Sequence, residues 1–280
     1  MEINKIYCID CLEGLKHLDN NSIHLLITSP PYNIGKDYEL YKDDLPYEQY
    51  IKWLTNVFKE SYRVIVEGGR VCINVGYIYT SENANTHAIK TNVRQMLPTY
   101  ADLIVNLRNI GFTFQEHIIW DKIGNSAGDK IIFGSYPYPV DVYARQGTEH
   151  ILIFKKGKSR VDIQEKRKNI NNKIPKKEYF EYVQPIWDFR GQNMDKHCAP
   201  FPIELPLRLI KIYSFEGDTI LDIFMGSGTT AWASKQLHRN YIGFELNQKW
   251  VNLSNSKLSQ EILSDKEPEM PYHQMLADRG

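Results

Sequence analysis

Residues 219–245 constrain the fold more than any other stretch of this chain. Thr219-Ile220-Leu221-Asp222-Ile223-Phe224 is an apolar run of strand length, and it leads into Met225-Gly226-Ser227-Gly228-Thr229-Thr230-Ala231, a glycine turn that opens a helix. About twenty residues on, Tyr241-Ile242-Gly243-Phe244-Glu245 reads as the next strand, closed by an acid. Strand, turn, helix and strand make a βαβ unit, which predicts a parallel sheet with helices on its faces. Glycines at 226 and 228 let the backbone come close to a ligand and take φ values that other residues resist. An acid at the offset of Glu245 commonly accepts hydrogen bonds from a ribose. No Gly-Lys-Ser/Thr follows the glycines, which argues against a Walker-type phosphate loop. The three-glycine dinucleotide fingerprint is incomplete too, with Ala231 nearest its third position. An ordinary strand–turn–helix without a ligand is the other reading.

A second motif narrows the choice. Thr28-Ser29-Pro30-Pro31-Tyr32 follows the apolar run Ile23-His24-Leu25-Leu26-Ile27. Two prolines fix φ and remove two backbone donors, so the exit from the strand is stiff. What it presents is carbonyl oxygens and the Ser29 hydroxyl as acceptors, with Tyr32 as a flat surface. Acceptors beside an aromatic platform suit a planar substrate bearing an amine, such as a nucleobase. A plain Pro-Pro loop with an incidental tyrosine is the alternative.

Together the two motifs resemble the β group of exocyclic-amine DNA methyltransferases that use S-adenosylmethionine. In that group the Ser-Pro-Pro-Tyr motif comes first and the cofactor loop late. The resemblance implies a doubly wound, mostly parallel Rossmann-like α/β sheet, circularly permuted, with a small inserted target-recognition region. Residues 1–155 would be the catalytic half, 156–196 the target-recognition insert, 197–264 the cofactor half of the same domain, and 265–280 a polar tail. It further implies Ser29, Pro30, Pro31 and Tyr32 as catalytic residues. Asp10, Phe201, Asp222, Phe224, Gly226, Gly228, Thr229 and Glu245 would bind the cofactor. Asp10 ends Ile6-Tyr7-Cys8-Ile9-Asp10, similar to the strand whose acid approaches the cofactor adenine. Phe201 belongs to His197-Cys198-Ala199-Pro200-Phe201-Pro202, similar to the segment that lines the methionine pocket.

The chemistry of an aryl amine fits this arrangement. Its lone pair is delocalised into the ring, and acceptors at Ser29 and the Pro30 carbonyl can localise it. Positioning against an activated methyl group then supplies most of the rate. A base reaches such a pocket only by leaving the duplex, where Tyr32 would stack on it. Carbon-5 methylation would need a Pro-Cys nucleophile, and none of the four cysteines follows a proline. In the family Ser-Pro-Pro-Tyr usually accompanies N4-cytosine and Asp-Pro-Pro-Tyr usually N6-adenine, so N4-cytosine is expected and N6-adenine is the alternative. An RNA or protein-amide methyltransferase, and a catalytically dead DNA-binding module, also stay open.

Composition bears on partners. Hydrophobic residues are 42% and charged ones 24% of 280, ordinary for a globular chain. No apolar run reaches the roughly 18 residues a membrane helix needs, and no signal-peptide pattern opens the chain, so a cytoplasmic protein without membrane contact is expected. Cys8 and Cys11 form a lone C-x-x-C with no second pair, so no metal is expected. Net charge is zero, against expectation for a double-stranded DNA partner. Basic residues nevertheless concentrate between Lys155 and Lys177, where a phosphate backbone could be tracked. A cognate restriction endonuclease sharing the DNA site is compatible, with no direct contact implied.

Coarse patterning predicts a helix over 43–66 closed by Gly68-Gly69, and strands over 70–75, 112–120 and 149–155. Helices are expected over 95–109, 205–213 and 248–263, with a polar loop from Tyr79 to about Thr91 and a flexible one over 124–128. His150 is expected near the pocket or as a satisfied core histidine, and Trp120-Asp121-Lys122, which ends a strand near the site, in a structural role, with DNA contact as the alternative. Nothing in their spacing singles out Arg94, Arg108 or Arg145.

Overall fold

Apolar residues alternate along the central strands, and the alternation sorts them into two cores. Leu26, Val71, Ile73, Leu152 and Phe154 face one side, and Leu25, Ile27, Cys72, Ile151 and Ile153 the other. A computed structural model of the chain describes residues 1–35, 43–81, 88–90, 95–122, 138–140, 147–189 and 201–259. Its strands are β1 (Lys5–Cys8), β2 (Ile23–Thr28), β3 (Ile65–Val75), β4 (Ile78–Ser81), β5 (Ala88–Lys90), β6 (Gln95–Leu97), β7 (Phe112–Asp121), β8 (Thr148–Lys156), β9 (Ile186–Asp188), β10 (Thr219–Asp222) and β11 (Asn240–Glu245). The helices are α1 (Cys11–Lys16), α2 (Tyr47–Val64), α3 (Thr99–Ile110), α4 (Ile163–Lys166), α5 (Lys176–Tyr182), α6 (Glu204–Tyr213), α7 (Thr229–Gln236) and α8 (Gln248–Ser259).

Eight strands form one sheet in the order β1-β11-β10-β2-β3-β8-β7-β9, and β5-β4-β6 form a small second one. In the large sheet only β8 runs against the rest. Helices α1, α2 and α3 supply Leu15, Tyr50, Leu54, Phe58, Leu103 and Leu107 to one core. On the opposite face α6 supplies Leu205, Leu209 and Ile210, and α7 supplies Ala233. The expected doubly wound, mostly parallel architecture is therefore present. Among the described residues no helix is long and apolar enough to cross a membrane.

The pairing of β2 with β10 positions the site. Leu25 and Leu26 pair with Ile220 and Leu221, so two motifs some 190 residues apart in the chain leave neighbouring parallel strands side by side.

Several expectations need correction. Gly68-Gly69 does not close a helix: α2 ends at Val64 and β3 starts at once, carrying the glycine pair inside it. Gly68 has φ +78°, and the β2–β3 register shifts there from Ile23↔Ile65 to Leu25↔Arg70, the mark of a bulge. The helix expected from residue 95 starts only at Thr99, because Pro98 caps it and Gln95–Leu97 are β6. The polar loop after Tyr79 contains β4 and β5. The 124–128 loop, Arg94, Arg145, residues 190–200 and the chain from 260 onward lie outside the described residues.

Part of the basic segment is engaged within the fold. Arg160 is paired with Asp162 and Asp218, and Lys166 donates to the Glu216 carbonyl. Lys156 donates to the Tyr62 and Ile65 carbonyls, ending α2. Asp218 and Glu216 precede β10, so this part of the insert is fastened to the N-terminal edge of the parallel strands, opposite the Ser29 corner. Burial explains why: Asp218 is fully enclosed and needs cations beside it, and Arg160, mainly through those bonds, stays firmly protonated despite its own desolvation.

Candidate active site

The proline corner is held from several sides. Tyr50 of α2 donates its hydroxyl to the Pro31 carbonyl at 2.7 Å, which leaves Ser29 and Pro30 as the acceptors of the corner. Asn33 sits at φ +56° and exchanges hydrogen bonds with Leu45 through its side chain, 2.7 Å each way. The buried Asp43 carboxylate receives the backbone N–H groups of Asn33 and Ile34 at 2.7 and 3.0 Å. Polar groups therefore fix the backbone on both sides of Tyr32.

Tyr32 is the hub of a polar cluster. Its hydroxyl accepts from Ser29 Oγ at 3.2 Å and from Asn74 Nδ2 at 3.1 Å, and donates to Glu149 Oε2 at 3.1 Å. Asn74 Nδ2 also donates to Glu149 Oε2 at 2.6 Å, and Lys122 Nζ is ion-paired with Glu149 Oε1. The Glu149 side chain is 12% exposed. The Tyr32 ring is packed closely too: a Cβ added at Gly76 would lie 2.8 Å from Tyr32 Cε2. Gly76→Ala should therefore push the ring off its position. We expect a loss of transfer of about ten-fold in single-turnover assays from a protein that still folds, since small misplacements of reacting groups are costly.

One pocket contains both motifs. Ser29, Pro30, Pro31 and Tyr32 line it together with Phe224, Met225, Gly226, Ser227, Thr229 and Glu245. Asp10 and Phe201 line it as well, as do Trp53, Asn247 and Trp250. Asp10 comes to Glu245 because β1 pairs with β11, Cys8 opposite Glu245, and its carboxylate caps α1 by accepting from Leu12 and Glu13. Glu245 accepts from the Gly226 and Asn247 N–H groups, 2.9 Å each, so it shapes the glycine turn as well as facing the pocket. Burial raises its carboxyl above the usual range, with those N–H groups pulling the other way. Carboxylates at 10 and 245 and rings at 53, 201, 224 and 250 suit a ligand with hydroxyls and a flat ring.

Two expected ligand residues sit elsewhere. Asp222 is fully buried behind the pocket wall and accepts from Thr28 and Thr230 hydroxyls, 2.7 Å each, and from Phe224 N–H at 3.1 Å. It ties β2 to α7 and the glycine turn and does not line the pocket. Gly228, at φ +82°, caps α7, and an added Cβ would meet Ser254 at 2.7 Å, so its work is helix packing. His150 is 4% exposed, bonded to His117 Nε2 at 2.7 Å and stacked on Tyr100. Burial, then the neighbouring His117, lowers it to about 4, a neutral core histidine. Among the described residues no cluster of three His, Cys, Asp or Glu could hold a metal.

Sequence reasoning missed Asn74, Glu149 and Trp250, preferred a structural role for Lys122 over DNA contact, and placed Trp53 only within the expected 43–66 helix. Asn74 and Glu149 carried one faint signal: each is polar at the end of an apolar strand on the edge where ligands bind.

Comparison with known proteins points to one family. Residues 23–256 match a family described as DNA methylase. The Type II methyltransferase M.MjaI of Methanocaldococcus jannaschii is 30% identical over 297 residues, which covers 95% of this chain and 94% of that one. M.HpaI of Haemophilus parainfluenzae, another Type II methyltransferase, is 28% identical over 92% of this chain and 75% of its own. Among solved structures, TTHA0409 of Thermus thermophilus in complex with S-adenosyl-L-methionine gives a TM-score of 0.74 at 30% identity, covering 93% and 95% of the two chains. PvuII DNA methyltransferase (cytosine-N4-specific) shares the fold, with a TM-score of 0.67 at 19% identity over 92% and 87%.

Proposed function

Because this chain belongs to the DNA methylase family, we propose that it transfers a methyl group from S-adenosylmethionine to the exocyclic N4 amine of cytosine in double-stranded DNA, as the modification partner in a type II restriction–modification system. The observation that supports this most is the meeting of Ser29–Tyr32 with Gly226–Glu245 in a single pocket. The pocket's residues fit the cofactor: carboxylates for ribose and amino groups, rings for the adenine, and a close-approach glycine. When bound there, S-adenosylmethionine supplies a methyl group on a sulfonium, already activated toward a nucleophile.

The chain's own residues do the rest. Glu245 accepts ribose hydroxyls, and Asp10 on the neighbouring strand end accepts from the adenine side. Phe224 and Trp53, with ring centroids 5.7 Å apart, form one wall. Tyr32 stacks on the extruded base. Ser29 and the Pro30 carbonyl accept from the amine N–H groups and draw its lone pair out of the ring. Residues 1–155 and 197–264 work as two halves of one domain. Target recognition within 156–196 falls to the part that returns to the catalytic edge at β9, since the earlier part is fastened at the far edge.

The preference for cytosine rests on Ser29. A neutral hydroxyl stands where adenine-directed relatives usually carry an aspartate. Mass spectrometry of nucleosides from double-stranded DNA treated with the purified protein should show N4-methylcytosine; N6-methyladenine alone would overturn the choice of base.

A further inference from the structure

The polar cluster behind Tyr32 has a direction. Ser29 donates to Tyr32, and Tyr32 donates to Glu149, a carboxylate shielded from solvent and ion-paired with Lys122. With its proton turned toward Tyr32, Ser29 offers lone pairs to the pocket. Asn74 adds an independent sign. The residue is 3% exposed, and its Oδ1 is buried with no hydrogen-bond partner among the described residues. Its Nδ2 lies 2.6 Å from Glu149 Oε2, so a half-turn of the amide would bring the idle oxygen to a proton on that atom.

We propose that Ser29, Tyr32 and Glu149 form a relay that carries the surplus proton of the methylated amine to Glu149. The proposal rests on the amino-methyltransferase reading of this site. Attack by the amine nitrogen forms the N–C bond, and the breaking C–S bond leaves its electron pair on sulfur. Nitrogen then holds one proton too many. That proton passes to Ser29 Oγ as the Ser29 proton moves to Tyr32 Oη and the Tyr32 proton to Glu149 Oε2. A cation has become neutral and the carboxylate has become an acid, so charge balances. Loss of the proton to water after product release resets Glu149. Glu149 touches neither base nor cofactor and is a positioning residue that also receives a proton. A serine is a poor base by itself, and the relay gives it a carboxylate's basicity at a distance.

The test uses the full chain as wild type, Glu149→Gln, Tyr32→Phe and the double variant. Single-turnover methyl transfer to double-stranded DNA is followed, with S-adenosylmethionine affinity as the check on folding. Each single variant should slow transfer by about ten-fold or more. The double variant should be no slower than the slower single, because one relay cannot be broken twice. A readout other than rate is the infrared difference spectrum after one turnover: a protonated-carboxyl stretch in wild type, absent in Glu149→Gln. If Glu149→Gln loses cofactor affinity, Tyr32→Phe decides by the same band, since it keeps the carboxylate. Additive losses, or single variants within about two-fold of wild type, would overturn the relay alone. A folded wild type that methylates no DNA would overturn the functional reading and the relay with it.

Discussion

Tyr32→Ala is expected to leave a folded protein that binds S-adenosylmethionine within about three-fold of wild type and transfers methyl groups at least 10²-fold more slowly, an order-of-magnitude figure from the two losses combined. The first loss is the platform: stacking on one ring contributes about 1–3 kcal/mol per base. The second is the hub. Without the phenol, Ser29 loses its acceptor and Glu149 one of its donors, so the hydroxyl that must accept from the amine is no longer oriented. Cofactor affinity is spared because Asp10, Phe224, Gly226 and Glu245 come from other elements. Labelled methyl transfer in single turnover, with calorimetry for the cofactor, checks both halves. Near-normal transfer would remove Tyr32 from the mechanism.

The second large effect concerns stability. Asp222→Ala strips a partner from the Thr28 and Thr230 hydroxyls and the Phe224 N–H, all at a fully buried point. Each orphaned group costs about 1–3 kcal/mol, so the variant should lose at least about 3 kcal/mol in urea titration. That is a large share of the roughly 5–15 kcal/mol typical of a native protein. Asp222→Asn keeps the shape and should lose far less, since hydroxyls at 28 and 230 can rotate to suit an amide.

The same carboxyl sets a pH dependence. Burial pushes Asp222 up to about 6 from 3.8, with the Thr230, Thr28 and Phe224 bonds opposing the shift. The folded state therefore holds this proton more tightly than the unfolded chain does. The stabilisation from this group is fully present below about pH 4 and fades as pH rises toward 6, by about 3 kcal/mol at most. Subtracting the Asp222→Asn profile from the wild-type profile isolates it. A difference that is flat across that window, or rises with pH, would contradict the burial argument.

How much of this was legible in the chain follows from where each signal lies. The glycine turn and the proline corner are local, and local geometry alone marks them: two prolines remove donors, and two glycines supply positive φ. Their meeting was readable only through the resemblance, because pairing of Leu26 with Leu221 leaves no trace in either segment. Glu149 was illegible for a related reason. It reaches Tyr32 only because β8 runs antiparallel to β3, which sets His150 opposite Val75. Trp53 fits the apolar stripe of α2, and periodicity cannot tell a core ring from one at the rim of a pocket. Asp222 entered the cofactor set through the resemblance alone, and the chain gives no sign of its neighbours at 28 and 230, which make it a tie. The cluster of lysines and arginines was legible only as charge: composition does not show the buried Asp218 that takes up Arg160.

The clamp on the corner has a consequence for length variation. Gly35 N–H donates to the Asp43 carbonyl at 2.7 Å, while the Asp43 carboxylate grips Asn33 and Ile34. The chain thus leaves and re-enters at almost one point, and whatever lies between is hung from a closed knot. Lengthening such an excursion costs little, about 0.6 kcal/mol per doubling. Insertions between 35 and 43 should accumulate freely among relatives without moving the tyrosine, while a change at 33 or 43 should not.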